Sequence, residues 1–131
     1  MVLCDKDIKD LREGDAPLIS NFSEDSLQSE SYDLSIGENI AVGKSRTIGI
    51  DLKSNMDFER IYQKIKLSDD GYQIQSHEYI LVSVREKINL PDYITAHIRP
   101  RTRFTRIGLL VSGQHINSTY SGHLWIGLFN A

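Results

Sequence analysis

Short segments that alternate apolar and polar residues recur between residues 32 and 129, and this recurrence restricts the possible folds more than any other feature. A period of two is typical of β-strands that bury one face. The clearest segment is residues 78–85, which read EYILVSVR, and turn residues such as those at 37–39 and 90–92 separate one segment from the next. The pattern predicts a mainly β chain, folded as a barrel or a sandwich.

The predicted strands leave two regions outside this pattern. In residues 5–13, Ile8 and Leu11 are three positions apart and acidic residues occupy the first turn, so we predict a short N-terminal helix that Gly14 can end. Residues 55–70 fit either a helix or an extended chain. The predicted strands lie at residues 32–36, 40–42, 47–52, 71–75, 78–85, 95–99, 107–111 and 123–129.

Length and composition indicate one globular domain over residues 1–131. The chain is 40% hydrophobic and 25% charged, which is typical of a folded globular protein. No apolar run approaches the roughly 18 residues that a membrane helix needs, so we expect no membrane partner. The net charge of -3 and the sequence pI near 5.8 argue against a nucleic-acid partner, because such proteins usually carry a basic patch.

The cysteine and histidine content bears on the cellular compartment and on zinc binding. Cys4 is the only cysteine, so no intrachain disulfide can form, and we expect a reducing, cytoplasmic location. The histidines are spread out, without a compact pair of zinc ligands; they are His77, His97, His115 and His123. We therefore expect no zinc.

Residues 97–109, HIRPRTRFTRIGL, concentrate positive charge in an acidic chain. The arginines are Arg99, Arg101, Arg103 and Arg106. Like charges this close repel one another unless an anion or acidic neighbours hold them together, and the arginine fork matches phosphate oxygens. Because Pro100 forces the preceding residue toward extended geometry, we predict a turn over residues 100–105 rather than one helix. The segment is either a phosphate site or a solvated charged turn.

Several segments in order resemble the dCTP deaminases and their relatives, the trimeric dUTPases. The start MVLCDKDI resembles the deaminase start, and QSESYDLSIG at residues 28–37 is similar to Q-P-S-S-x-D-L-R-L-G. Residues 77–91 resemble P-G-E-F-x-L-x-S-T-x-E-x-x-x-L-P. RTRFTRIGL at 101–109 is similar to R-S-S-x-x-R-x-G-L, and INSTYSGH at 116–123 to I-D-P-G-F-x-G-H.

The resemblance implies a dUTPase-like distorted jelly-roll or β-barrel, assembled as a homotrimer with nucleotide sites between subunits. It implies pyrimidine deoxynucleoside triphosphate metabolism, with dCTP or dUTP as the substrate and Mg²⁺ bound through the triphosphate. Relatives continue beyond the position of Ala131 with further strands and a lid, so we expect this chain to lack those elements, either because it is a fragment or because the lid is absent.

The same resemblance places the site residues. Arg101, Thr102, Arg103 and Arg106 fall on the phosphate and catalytic motif; Thr102 keeps a serine's hydroxyl, and Arg103 adds charge where the family has a second serine. Gly113, Gln114, His115 and Asn117 would lie along the base and sugar, with Tyr120 near the deoxyribose. His115 is either a substitute general base, since imidazole titrates near neutral pH, or an ordinary loop histidine.

Two departures from the family pattern bear on the reaction. The glutamate of T-L-E-L-S-N corresponds to Gly127, and the two aspartates of the dUTPase motif I-D-x-D-Y correspond to Asn117 and Thr119. Deamination needs a group that moves protons between water and the leaving amine, and glycine has none. The resemblance and these departures together leave two main alternatives. The first is a divergent deaminase, or a diphosphatase in which Asn117, Gln114 or His115 places the water. The second is a non-catalytic nucleotide-binding or regulatory homologue. A purely structural trimer is a third alternative.

Four further side chains carry predictions. Asp33 either contacts a nucleotide at the subunit interface or bonds to backbone at a strand edge. Glu78 and Glu86 flank the strongest strand, and we expect both to form salt bridges with the arginines. Trp125 serves either trimer-core packing, which we favour, or stacking on a base.

Overall fold

Antiparallel pairing organises the chain into one large and one small β-sheet. The computed structural model describes residues 1–13, 16–44, 49–53 and 57–131. Within these residues the α-helices are α1 (Asp5–Asp10), α2 (Phe58–Ile61) and α3 (Thr102–Arg106). The strands are β1 (Ile36–Gly43), β2 (Tyr62–Lys66), β3 (Tyr79–Asn89), β4 (Ala96–His97), β5 (Leu109–Val111), β6 (His115–Ile116) and β7 (Ser121–Asn130).

The large sheet has the strand order β2-β1-β3-β7-β5, and β4 pairs with β6 in a separate two-stranded sheet. The long strands β3 and β7 are neighbours near the centre, as expected for the segments with the clearest alternation. The mainly β prediction is confirmed. None of the helices in the described part of the chain is long and apolar enough to cross a membrane.

One face of the large sheet forms the hydrophobic core. Alternate residues of β1, β3 and β7 point into it, among them Ile40, Ile80, Val82, Ile126 and Leu128, each at most 7% exposed. The N-terminal segment covers this face with residues of α1 and of the loop after it: Ile8, Leu18 and Ile19. The predicted N-terminal helix is therefore present, but it ends at Asp10; the predicted end at Gly14 lies outside the described residues.

The opposite face of the large sheet, here called the outer face, carries the residues between these core positions. Tyr79 lies opposite Phe129, Leu81 opposite Gly127 and Ser83 opposite Trp125 across the β3–β7 pair. Lys64 of β2 lies on the same face, because it pairs with Ala41, which in turn pairs with Leu81. This face is less apolar than the core face and more exposed.

The predicted turn at residues 37–39 is wrong, because β1 runs through it. The register of β1 on β3 shifts between Ile36 and Ile40. A Cβ at Gly37 would lie 2.8 Å from Ser83 Oγ, so the glycine allows a close strand contact rather than a turn.

Other strand boundaries also differ from the prediction. Residues 71–75 form no strand, and residues 32–36 contribute only a bridge between Leu27 and Tyr32 before β1 begins. The predicted strand at 47–52 lies partly outside the described residues, and its described part, 49–52, is not a strand. Residues 55–70, which fit either a helix or an extended chain, include one of each, since α2 leads directly into β2.

Candidate functional site

The arginine-rich segment changes conformation at Arg101. This residue is extended, with φ -69° and ψ 141°, and caps α3, which ends before Gly108 at φ 82°. The prediction that the run is not one helix is confirmed, because Arg99 and Pro100 precede α3. The predicted turn over residues 100–105 is wrong, since residues from Thr102 onward are helical.

Arg101 is held by a carboxylate from a distant part of the chain. Its guanidinium donates to Asp33, and the Gln28 side-chain amide donates to the same oxygen at 3.2 Å. The Arg101 side chain is 54% exposed, so this ion pair is open to solvent. Asp33 was predicted either to contact a nucleotide at a subunit interface or to bond to backbone, and the ion pair with Arg101 is neither of these. This ion pair joins the start of α3 to the segment before β1.

The other arginines of residues 97–109 have no carboxylate within ion-pair distance among the described residues. Arg99, Arg103 and Arg106 are all exposed, and the Arg103 guanidinium lies 4.7 Å from the centroid of the Phe104 ring. Thr102 is exposed on the same helix. Positive charge without an acidic partner is available here for an anion.

The predicted salt bridges from Glu78 and Glu86 are wrong. Glu86 is 1% exposed, and its carboxylate accepts the Ser35 backbone N–H at 2.9 Å. Glu78 accepts the Tyr72 hydroxyl at 2.7 Å and the Gln75 N–H at 2.7 Å. Both carboxylates therefore fix backbone and loops, so they do not neutralise the arginine segment.

The predicted base and sugar residues line an open groove of about 470 Å³. Its lining is Gln114, His115, Ile116, Asn117, Tyr120, His123, Leu124 and Trp125. A second groove of about 280 Å³ shares Gln114 and His115 and adds Arg99, Pro100 and Gly113. Arg101, Thr102, Arg103 and Arg106 line neither groove within one chain.

Hydrogen bonds fix two of the groove side chains. The Gln114 amide donates to the Trp125 carbonyl at 2.9 Å, and the Tyr120 hydroxyl donates to the His123 carbonyl at 3.2 Å. Asn117 is exposed, with its side chain open to the groove. The walls of the groove are thus held while Asn117 remains accessible.

His115 has a partner that the sequence did not reveal. It lies directly opposite His97 across the β4–β6 pair, with the ring centroids 4.8 Å apart. His97 lies in the strand predicted at 95–99, but the two-residue strand of His115 leaves no periodic signal, so this pairing could not be predicted from the sequence.

The side-chain space of Gly127 is occupied by Tyr79. A Cβ at Gly127 would lie 1.9 Å from the Tyr79 hydroxyl oxygen and 2.5 Å from Cζ. The Gly127 N–H donates to Ser112 Oγ at 2.9 Å, and the Ser112 N–H donates to the Gly127 carbonyl at 2.8 Å. The Tyr79 phenol thus occupies the place of a side chain at position 127, and a larger residue there requires the phenol to move.

Aromatic rings from α2 and β2 pack beside this point. The Trp125 and Phe58 ring centroids are 6.3 Å apart, and Lys64 Nζ lies 5.9 Å from the Trp125 ring centroid. Tyr62 stacks on Phe58 at 5.0 Å, and burial, with a contribution from Tyr79, raises the pKa of Tyr62. Within one chain, Trp125 therefore packs against α2 while it also lines the groove.

No group of three or more metal-ligating side chains occurs in the part of the chain that the structure describes.

The family model described as dCTP deaminase-like matches residues 2–131. Among curated proteins, "dCTP deaminase, dUMP-forming" of Persephonella marina is 30% identical over all of this chain and 73% of its own length. The protein of that name from Hydrogenobaculum sp. is 32% identical over all of this chain and 71% of its own length. A "Probable deoxyuridine 5'-triphosphate nucleotidohydrolase" of Sulfolobus islandicus rod-shaped virus 1 is 30% identical, covering 98% of this chain and 70% of its own length.

The fold has a counterpart among solved structures. The 2'-deoxycytidine 5'-triphosphate deaminase of Agrobacterium tumefaciens matches 98% of this chain with a TM-score of 0.76 at 20% identity. The match covers 41% of that chain. At this identity the likeness is evidence for the fold alone, and it agrees with the predicted jelly-roll-like architecture.

Proposed function

The chain belongs to the dCTP deaminase-like family, and from this premise we propose that it acts in pyrimidine deoxynucleotide metabolism, on dCTP or dUTP. The groove carries the proposal. Its volume of about 470 Å³ falls in the range of small-molecule sites, roughly 300–1,000 Å³. It gathers Gln114, His115, Asn117 and Tyr120, whose side chains offer hydrogen bonds to a base and a sugar.

The arginines of the α3 segment are proposed to bind the triphosphate. Arg99 reaches the second groove, whereas Arg103 and Arg106 carry unpaired charge away from both grooves of their own chain. A homotrimer resolves this separation if the arginines of one subunit meet the groove of the next. Mg²⁺ would enter with the triphosphate, since phosphate oxygens supply the hard ligands that it prefers.

Among the two reactions, the site favours diphosphate release. Deamination needs a proton-transfer group, and Gly127 offers none. Hydrolysis of a phosphate chain depends more on neutralising developing charge, which Mg²⁺ and arginine can do. Asn117, Gln114 or His115 would place the attacking water.

A second function, nucleotide binding without turnover, is favoured by one contact. Tyr79 fills the side-chain space of Gly127, so no acid or base can project there without displacing the phenol. A homologue that regulates or senses nucleotide levels would keep the groove and the arginines and need no base.

Incubation with dCTP or dUTP and Mg²⁺, followed by assays of ammonia and pyrophosphate, separates these functions. We expect pyrophosphate from dUTP, and a loss of at least tenfold in Arg106→Ala, as for removal of a charged phosphate contact. Arg85→Ala, an exposed arginine on β3, is the matched control and should be unchanged. Binding by calorimetry without turnover supports the second function, and absence of both binding and turnover overturns both.

A further inference from the structure

The Tyr79 hydroxyl is a polar group without a hydrogen-bond partner among the described residues. Tyr79 is 43% exposed, so solvent or a ligand can reach it. Its ring extends across the outer face of the sheet from β3 to β7 and ends above Gly127.

Gly127 lies in the interior of a strand, where glycine has no side chain to pack and weakens the sheet. Here the missing side chain has a specific counterpart, because the phenol occupies its space. The polar group above position 127 is therefore the Tyr79 hydroxyl, which belongs to the neighbouring strand β3 and takes the place of a side chain at position 127 itself.

The surroundings of this hydroxyl are mainly aromatic and suit a planar partner. Tyr62, Trp125 and Phe58 form ring contacts nearby. Trp125 also lines the groove, and Gly127 follows it by two residues on the same face, about 7 Å along the strand. Aromatic faces stack on bases, and a phenol both donates and accepts hydrogen bonds.

We propose that Tyr79 contacts the pyrimidine base of a bound nucleotide, its hydroxyl supplying the hydrogen bond at the point where Gly127 has no side chain. This inference rests on the proposed nucleotide function of the groove. The phosphates would bind elsewhere, at the arginines of residues 97–109 that have no acidic partner among the described residues.

Tyr79→Phe tests the proposal, because it removes the hydroxyl and keeps the ring over Gly127. In calorimetry with Mg²⁺ we expect dCTP and dUTP to bind about five- to tenfold more weakly, as for one neutral hydrogen bond. Tripolyphosphate, which has no base, should bind the variant and the wild type equally. Tyr93→Phe, at a tyrosine that is 73% exposed after β3, is the matched control and should bind as the wild type does.

The results distinguish a failure of the Tyr79 inference from a failure of the proposed function. Equal nucleotide affinity of Tyr79→Phe and wild type overturns the inference and leaves the proposed function standing. An equal loss for tripolyphosphate also overturns it, because the hydroxyl would then act on phosphate or on the fold. A wild type that binds neither dCTP nor dUTP contradicts the proposed function itself.

Discussion

At the scale of single residues, the space taken by the Tyr79 side chain explains the glycine at position 127 better than the loss of a charged group does. The sequence identifies a missing carboxylate there, yet it does not show what takes the place of that side chain. Tyr79 occupies the space, and the Ser112 hydroxyl accepts the Gly127 N–H. A glutamate at this position therefore requires the Tyr79 side chain to move or to be shortened.

We predict that Gly127→Ala displaces the Tyr79 phenol and lowers the free energy of unfolding by less than the roughly 1–3 kcal/mol typical of overpacking a core, because the far end of this 43% exposed side chain can turn away. The cause is the 1.9 Å approach of a Cβ to the Tyr79 hydroxyl. The loss should shrink in a Tyr79→Ala background, where the space is free. Urea denaturation of the two single variants and the double variant measures this coupling.

Gly43→Ala is the matched control, since a Cβ there meets no atom within 4 Å. Additive losses in the double variant would contradict the pairing of Tyr79 with Gly127.

Because Tyr79 occupies this space, ammonia release from Gly127→Glu should appear only when Tyr79→Ala is also present.

Burial likewise decides the role of Glu86. Its carboxylate accepts the Ser35 N–H beside the irregular pairing of β1 with β3. We expect Glu86→Ala to reduce the free energy of unfolding by about 1–3 kcal/mol, because a buried donor loses its partner. Glu86→Gln keeps an acceptor and should lose less.

The exposed neighbour Arg85→Ala provides the control and should stay within about 0.5 kcal/mol of the wild type. Equal stability of Glu86→Ala and Arg85→Ala, measured by the same denaturation, would show that the Ser35 contact contributes nothing to the fold.

At the scale of elements, the length of a strand decides whether the sequence reveals it. The long strands β3 and β7 alternate over enough residues to be predicted, and their pairing forms the centre of the sheet. The strand β4 lies within the strand predicted at 95–99, whereas β6, with two residues, is too short for a periodic signal. The groove residues on β6 could be named only from the family resemblance, and the contacts of Tyr79 and His97 depend on tertiary structure.

The helix α1 is joined to the rest of the chain by contacts that depend on ionised carboxylates. Glu24 lies 2.9 Å from Lys9 and 2.6 Å from Arg12, which hold its pKa below the ordinary 4.5. The Cys4 N–H, 2.9 Å from the Asp7 carboxylate, lowers the pKa of Asp7 below the ordinary 3.8. Since both folded-state pKa values are lowered, these contacts stabilise the fold above the ordinary values and are lost as pH falls through the lowered ones.

We therefore predict that the thermal midpoint of unfolding falls as pH is lowered below about 4.5, and that Glu24→Gln removes part of this dependence. The variant should be less stable than the wild type at pH 6 and should approach it near pH 3. Glu13→Gln, at an exposed glutamate near the same helix, should run parallel to the wild type. A constant gap between Glu24→Gln and wild type at every pH would contradict the role of this ion pair.

At the scale of the whole molecule, the parts of the proposed nucleotide site lie apart within one chain. The groove lies along β6 and β7, whereas Arg103 and Arg106 project from α3 and line neither groove. The outer face also leaves apolar side chains exposed, with Leu110 at 50% opposite Phe129 and Tyr79 at 43%. Exposed apolar surface of this kind is typical of association sites.

We accordingly predict that the protein sediments with three times the 14.9 kDa mass of the chain. Leu110→Lys places a charge on the outer face and should lower this mass, and it should weaken dUTP binding at the same time, because arginines and groove would come from different subunits. Analytical ultracentrifugation and calorimetry on the same samples measure both effects. Tyr93→Lys, at a side chain that is 73% exposed in the turn after β3, should change neither. A monomer that binds dUTP with full affinity would show that the arginines reach the groove of their own chain.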